Sequence, residues 1–302
     1  MSGQSHNPIK RDIMKGKSIV EVFSIFILMR IFSFWFKTTE FLTWELDTLG
    51  WTYTGGFLLI GIPILILLVT KRKFEVYGIT LKKWREALDI GLVYALVTGA
   101  ISGVGFMYLW VSGISYTGMR GAVILAGCEI AVLFLILKIL CRREKNDPDN
   151  PPKPIPNVAV LLILLLLPIF IGVYANRLTH VVVSTVVWQF IFSGFGEEIM
   201  YRGYYQSRIN EEFGRPFSFM GVNFGIGVII SSLLFAFAHV LNPFSPFEGN
   251  YELAWWWGLF TFFGGLTLGL VREKTGSIIP CGIAHGLPDA VGEAFGLMFS
   301  VS

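Results

Sequence analysis

The sequence predicts an all-α fold: a polytopic integral membrane bundle with about eight or nine transmembrane helices. Three observations carry this expectation. Of the 302 residues, 54% are hydrophobic and only 15% are charged, against about 45–50% apolar and about 25% charged in soluble domains. The mean hydropathy is +0.63. The apolar residues also fall in long runs, as a bilayer requires of spanning helices of roughly 17–25 residues.

The first run, 18–36, follows Lys10, Arg11, Lys15 and Lys17. It contains Glu21 and Arg30, and no small-residue cleavage site follows it. An uncleaved first span is expected rather than a signal peptide. Further runs occupy 54–70, 89–112, 121–140 and 158–175. A long segment covers 181–212, and three more lie at 218–241, 253–271 and 277–300. The stretch CRREKNDPDNPPKPIPN, residues 141–157, is charged and proline-rich, so it reads as an exposed linker. It divides an N-terminal four-span region, 1–140, from a C-terminal membrane region, 158–302.

Lys71, Arg72, Lys73, Lys82, Lys83 and Arg85 crowd one loop, and Arg142, Arg143, Lys145 and Lys153 crowd another. The positive-inside rule places both loops and the N-terminus in the cytoplasm, with the chain multi-pass in the cell membrane. Nine spans would then put the acidic loop 242–252 outside. One re-entrant segment before residue 180 would reverse that parity. A net charge of +3 gives no reason to expect a nucleic-acid partner. Cys128, Cys141 and Cys281 have no paired spacing, so they read as free thiols and imply neither a metal nor a disulfide framework.

Ionisable residues inside apolar runs are costly and face a polar cavity or one another. The segment GEEIMYRGYYQSRI, 196–209, carries Glu197, Glu198 and Arg202. Glu198 and Arg202 are four apart and share a helix face, which suits a structural ion pair. Glu197 is rotated by about 100° from Glu198 and has Tyr201, not a cation, one turn on. His239 lies in SSLLFAFAHVLNPF; on its own it suits a hydrogen-bonded interior residue as well as a catalyst. His285 and Asp289, in IIPCGIAHGLPDAVG, are one turn apart, so the carboxylate could orient the imidazole. A hairpin turning near Gly214–Pro216 places Glu197 roughly 27 Å before the turn and His239 roughly 35 Å after it. A second turn near Glu273–Gly276 brings His285 partway back, so one cavity can hold all three.

Three motifs in order on successive apolar segments carry a resemblance. They are Glu197-Glu198-Ile-Met-Tyr-Arg202, Phe235-Ala-Phe-Ala-His239 and His285-Gly-Leu-Pro-Asp289. Together with the serine pair before Phe235, the Arg-Gly after Tyr201 and the loop YGITLKKWREAL (77–88), they resemble the CAAX prenyl protease type II family, also called the CPBP or Abi family. The motif resemblance covers about residues 180–300.

The resemblance implies an intramembrane endopeptidase that cleaves membrane-attached protein or peptide substrates, among them prenylated CAAX-type C-termini. It implies a glutamic-type mechanism with no metal or other cofactor. Carried over, Glu197 is the general base, assisted by His239; His285, with Asp289 behind it, forms the oxyanion site; Glu198 and Arg202 support the site. Two departures bear on this. The family often has asparagine where this chain has Asp289, and an ionised aspartate cannot donate a hydrogen bond. Pro288 removes a backbone donor between the two residues and is expected to kink the helix. Alternatives are a zinc peptidase, since two histidines and a carboxylate are a legitimate zinc set although HExxH is absent, and a non-catalytic scaffold or immunity-type partner-binding protein.

Overall fold

The computed structural model describes residues 16–146 and 154–299. Lys10, Arg11, Lys15 and residues 147–153 of the proposed linker lie outside that range. Helix α1, Lys17–Phe36, is followed by α2, Glu40–Leu49, and α3, Tyr53–Val69. The axes of α2 and α3 differ by 106°, so α2 lies across the start of α3. The 54–70 run gave no sign of α2, whose sequence EFLTWELDTL is acidic and only partly apolar. Threonines set both starts: Thr39 and Thr52 accept from the backbone N–H of Leu42 and Gly55, each at 3.3 Å.

Helix α4, Trp84–Thr98, passes through a π-helical turn at Gly99–Gly103 into α5, Val104–Val111. Helix α6 runs Met119–Asn146 and α7 runs Pro154–Tyr174. The helix therefore continues past Cys141 through the first residues of the expected linker. Helix α8, His180–Trp188, extends through two π-helical stretches, Gln189–Gly196 and Ile199–Gln206, into α9, Ser207–Phe213.

The expected span at 218–241 is corrected at its start. Phe217–Phe219 (β1) and Val222–Phe224 (β2) pair antiparallel. The turn between them, Met220–Gly221, has positive φ at both residues, as a two-residue hairpin with right-handed strand twist requires. Helix α10 is the remaining Ile226–Val240, followed by α11, Trp255–Thr275, and α12, Ile279–Phe299. The described residues are thus helical apart from loops, this short hairpin and an isolated bridge between Ser245 and Asn250. Helix α12 runs through Pro288.

Among the described residues, four helices are long and apolar enough to cross a membrane: Lys17–Phe36, Trp84–Val111, Met119–Arg143 and Ile155–Tyr174. Joining α2 and α3 makes five. Of the C-terminal helices, Ile226–Val240 is apolar but too short to reach that mark.

Hydrogen bonds show which loops share an end of the bundle. Glu212, at the end of the long segment, accepts from Ser18 N at the start of α1 at 2.8 Å. Arg143 pairs with Asp89 of α4, and Asn157 of α7 donates to the same carboxylate at 3.1 Å. Arg272 reaches the Val76 carbonyl at 2.6 Å. These loops form one end, which holds the basic loops. At the other end Lys37 donates to the carbonyls of Asn242 and Phe244 at 2.8 and 3.0 Å. Trp35, Trp44, Trp51, Trp110, Trp255 and Trp256 gather there, as amphipathic rings do at a membrane surface. The regions before and after 141–157 share one core, in which Ile90 and Tyr94 of α4 join Ile136, Leu137, Leu268 and Ala284.

Candidate active site

The long segment 180–213 brings Glu197, Glu198 and Arg202 into the bundle at mid-length. Around them it is π-helical, with the wider i→i+5 spacing that recurs at functional sites. Glycine lets α12 lie directly against it. A Cβ on Gly194 would come within 2.6 Å of the Gly286 Cα, and one on Gly286 within 2.8 Å of the Phe190 carbonyl. Gly286 follows His285, so this close approach sets how deep the imidazole sits.

Arg202 and Glu198 are both fully buried, and Arg202 Nη1 donates to Glu198 Oε1 at 3.0 Å. The Arg202 guanidinium also lies over the Phe235 ring, 4.3 Å from its centroid. Glu198 Oε1 accepts from His285 Nδ1 at 3.0 Å. A carboxylate can only accept, so Nδ1 carries a proton. The contact that orients His285 through Nδ1 therefore comes from Glu198, not from Asp289. His285 Nε2 points the other way, 3.5 Å from Asp289 Oδ2 and 3.8 Å from Glu197 Oε2. Glu197 Oε2 is buried and has no hydrogen-bond partner.

His239 Nδ1 lies 2.9 Å from the Phe235 carbonyl oxygen. A carbonyl can only accept, so Nδ1 carries the proton and Nε2 is left as an acceptor. The Phe235 ring stands edge-on between the histidines, 4.6 Å from His239 and 5.8 Å from His285. Ser231, of the serine pair before Phe235, fixes α10 to the long segment by donating to the Tyr201 carbonyl at 2.8 Å. The structure thus joins Glu197, Glu198, Arg202, His285 and Asp289 through direct contacts, and places His239 one aromatic ring away.

Glu129 was not singled out from the sequence. It sits in the apolar run of α6, accepts from Ser102 Oγ at 2.8 Å, and lies within electrostatic reach of His285 and Asp289. The signal was available, since it is an ionisable residue inside a membrane-length apolar helix. Among the described residues, no three His, Cys, Asp or Glu side chains are placed to hold one metal ion.

Residues 179–291 match the family model described as Type II CAAX prenyl endopeptidase Rce1-like. No curated protein and no solved structure matches the chain.

Proposed function

Residues 179–291 belong to the CAAX prenyl protease type II family, and from that premise we propose that this multi-pass membrane protein is a glutamic-type intramembrane endopeptidase. Its substrates are peptide bonds in membrane-attached proteins or peptides, and the bundle makes eight or nine passes of the cell membrane. The observation that carries the reading is the partnerless Glu197 oxygen facing an imidazole whose other nitrogen is held by Glu198.

Glu197 and the free Nε2 of His239 hold a water between them. Glu197 takes a proton from that water as its oxygen bonds to the scissile carbonyl carbon. The carbonyl π-electrons move onto oxygen, and the tetrahedral oxyanion accepts a hydrogen bond from protonated His285 Nε2. A donor placed there contributes about 2.7–4 kcal/mol to the transition state. Collapse of the intermediate breaks the C–N bond, and protonated Glu197 returns its proton to the leaving amine. Glu198 holds the Nδ1 proton of His285, which favours the imidazolium, and Arg202 balances the charge of Glu198. Asp289 lies beside Nε2 and adds to the field that keeps His285 charged.

The test compares protein termini in membranes containing wild-type protein or Glu197→Ala, with and without a chelator. The expected outcome is a set of cleaved termini that vanishes with Glu197→Ala and ignores chelator. Products that vanish with chelator alone would transfer the chemistry to zinc. Identical termini in both membranes, at equal protein levels, would leave a scaffold or partner-binding role.

A further inference from the structure

The cations of this bundle are distributed very unevenly between its ends. One end carries Lys71, Arg72, Lys73, Lys82, Lys83 and Arg85 on a single loop, with Arg142, Arg143, Arg208, Arg215 and Arg272 around it. Contacts tie these together: Arg72 and Arg208 share Glu21, and Arg272 reaches back to the loop at Val76. Among the described loops and helix ends of the opposite side, the Lys and Arg residues are Lys37, Arg120 and Arg177. The Lys and Arg excess of short loops marks the cytoplasmic side.

Access to the catalytic groups follows the reverse pattern. Between them and the basic end the interior is closed. Met200, Tyr204, Tyr205 and Ile209 are each no more than 1% exposed, and Arg272 plugs the space beneath by donating to Ser207 Oγ at 2.9 Å. At the other end a cavity of about 630 Å³ lies between Thr117, the 242–254 loop and Trp257. The Trp257 ring stands against His239, with centroids 5.4 Å apart. One aromatic side chain therefore separates this cavity from His239.

We infer that the active site opens through this cavity to the non-cytoplasmic side, and that its substrate is an extended, unprenylated peptide segment of an exported or membrane-anchored protein on that side. This rests on the peptidase reading for the reaction, while the direction of opening stands on the cations and the packing alone. Prenyl groups are attached to C-terminal cysteines in the cytoplasm, so a prenylated C-terminus would approach the closed end. The cavity mouth offers Asn242 and Glu252, groups that can hydrogen-bond a peptide backbone at the bilayer edge.

The experiment uses the full chain in intact cells with Cys128→Ala and Cys141→Ser, since Cys281 is fully buried. Thr117→Cys and Lys83→Cys are introduced separately and treated with a bulky, membrane-impermeant maleimide. The expected result is labelling of Thr117→Cys in intact cells and of Lys83→Cys only after the membrane is opened. Labelling at Thr117→Cys should then abolish the Glu197-dependent cleavage seen in the same variant before labelling. Labelling of Lys83→Cys alone from outside overturns the orientation, and undiminished cleavage after complete labelling at Thr117→Cys overturns the portal. External labelling of Thr117→Cys without any Glu197-dependent product upholds the orientation and removes the peptidase reading instead.

Discussion

At the basic end, Glu21 binds Arg72 and Arg208 and accepts from the Tyr204 hydroxyl, and Gln206, Asn210 and Arg215 converge on Glu273. At the opposite end, Trp257 and the 242–254 loop border an open cavity. Both ends are polar, but only the first is closed by charges that satisfy one another. The same residue types therefore serve two purposes. Paired and buried, they fix the long segment in place; at mid-length, Glu197 Oε2 is left without a hydrogen-bond partner.

Four substitutions would break or sharpen this contrast. The largest effect is expected from Arg202→Ala. It leaves Glu198 fully buried with His285 as its remaining partner among the described residues, and breaking a buried pair in this way costs about 3–5 kcal/mol. Loss of folded protein on size exclusion in detergent would be the readout, whereas Glu197→Ala should accumulate normally. Next is Gly286→Val, which drives a side chain into the Phe190 carbonyl and should cost about 1–3 kcal/mol through overpacking. Cleavage should fall further than melting temperature suggests, because the displaced helix carries His285.

Glu21→Gln removes one charge from the basic-end network. Hydrogen bonds to charged groups contribute about 1.5–3 kcal/mol, so melting should drop while any cleavage per folded molecule stays the same. A change in cleavage specificity would mean that the closed end also touches substrate. The smallest effect belongs to Lys82→Ala. Its pair with Glu75 spans 2.7 Å but is 73% and 60% exposed, and exposed pairs contribute about 0–1 kcal/mol. A melting shift beyond the error of the measurement would show that the 77–88 loop is held more rigidly than its exposure suggests.

Much of this was legible in the sequence. The ends of α1 and α3 follow from runs of apolar residues, and the Glu198–Arg202 pair follows from a four-residue spacing, whereas α7 begins at Pro154, inside the stretch read as linker. The separate contacts of neighbouring Glu197 and Glu198 follow from the 100° between them. What was hidden depends on tertiary contact. FSFMGVNF is apolar enough to look like the beginning of a span, and only its turn geometry makes it a hairpin. The Glu198–His285 bond joins residues 87 positions apart, so the helical spacing of His285 and Asp289 pointed to the nearer carboxylate as the orienting one. Helix α2 was missed because a short acidic segment lying across the bundle has no membrane-length signature. Pro288 leaves α12 unbroken in extent, although it gives the Ala284 carbonyl no N–H partner.

The π-helical stretches around Glu197 also make the length of this segment part of the site. Each widened turn holds one residue more than an α-helix would need to climb the same distance. A chain one residue shorter between Gln189 and Gly196 could tighten into regular α-helix without disturbing either anchored end. Glu197 would then keep its place beside His285, whereas the same deletion in a regular α-helical stretch would swing every residue beyond it by about 100°. Among related sequences, single-residue gaps should thus be tolerated in this stretch and be rare in the regular helix before it.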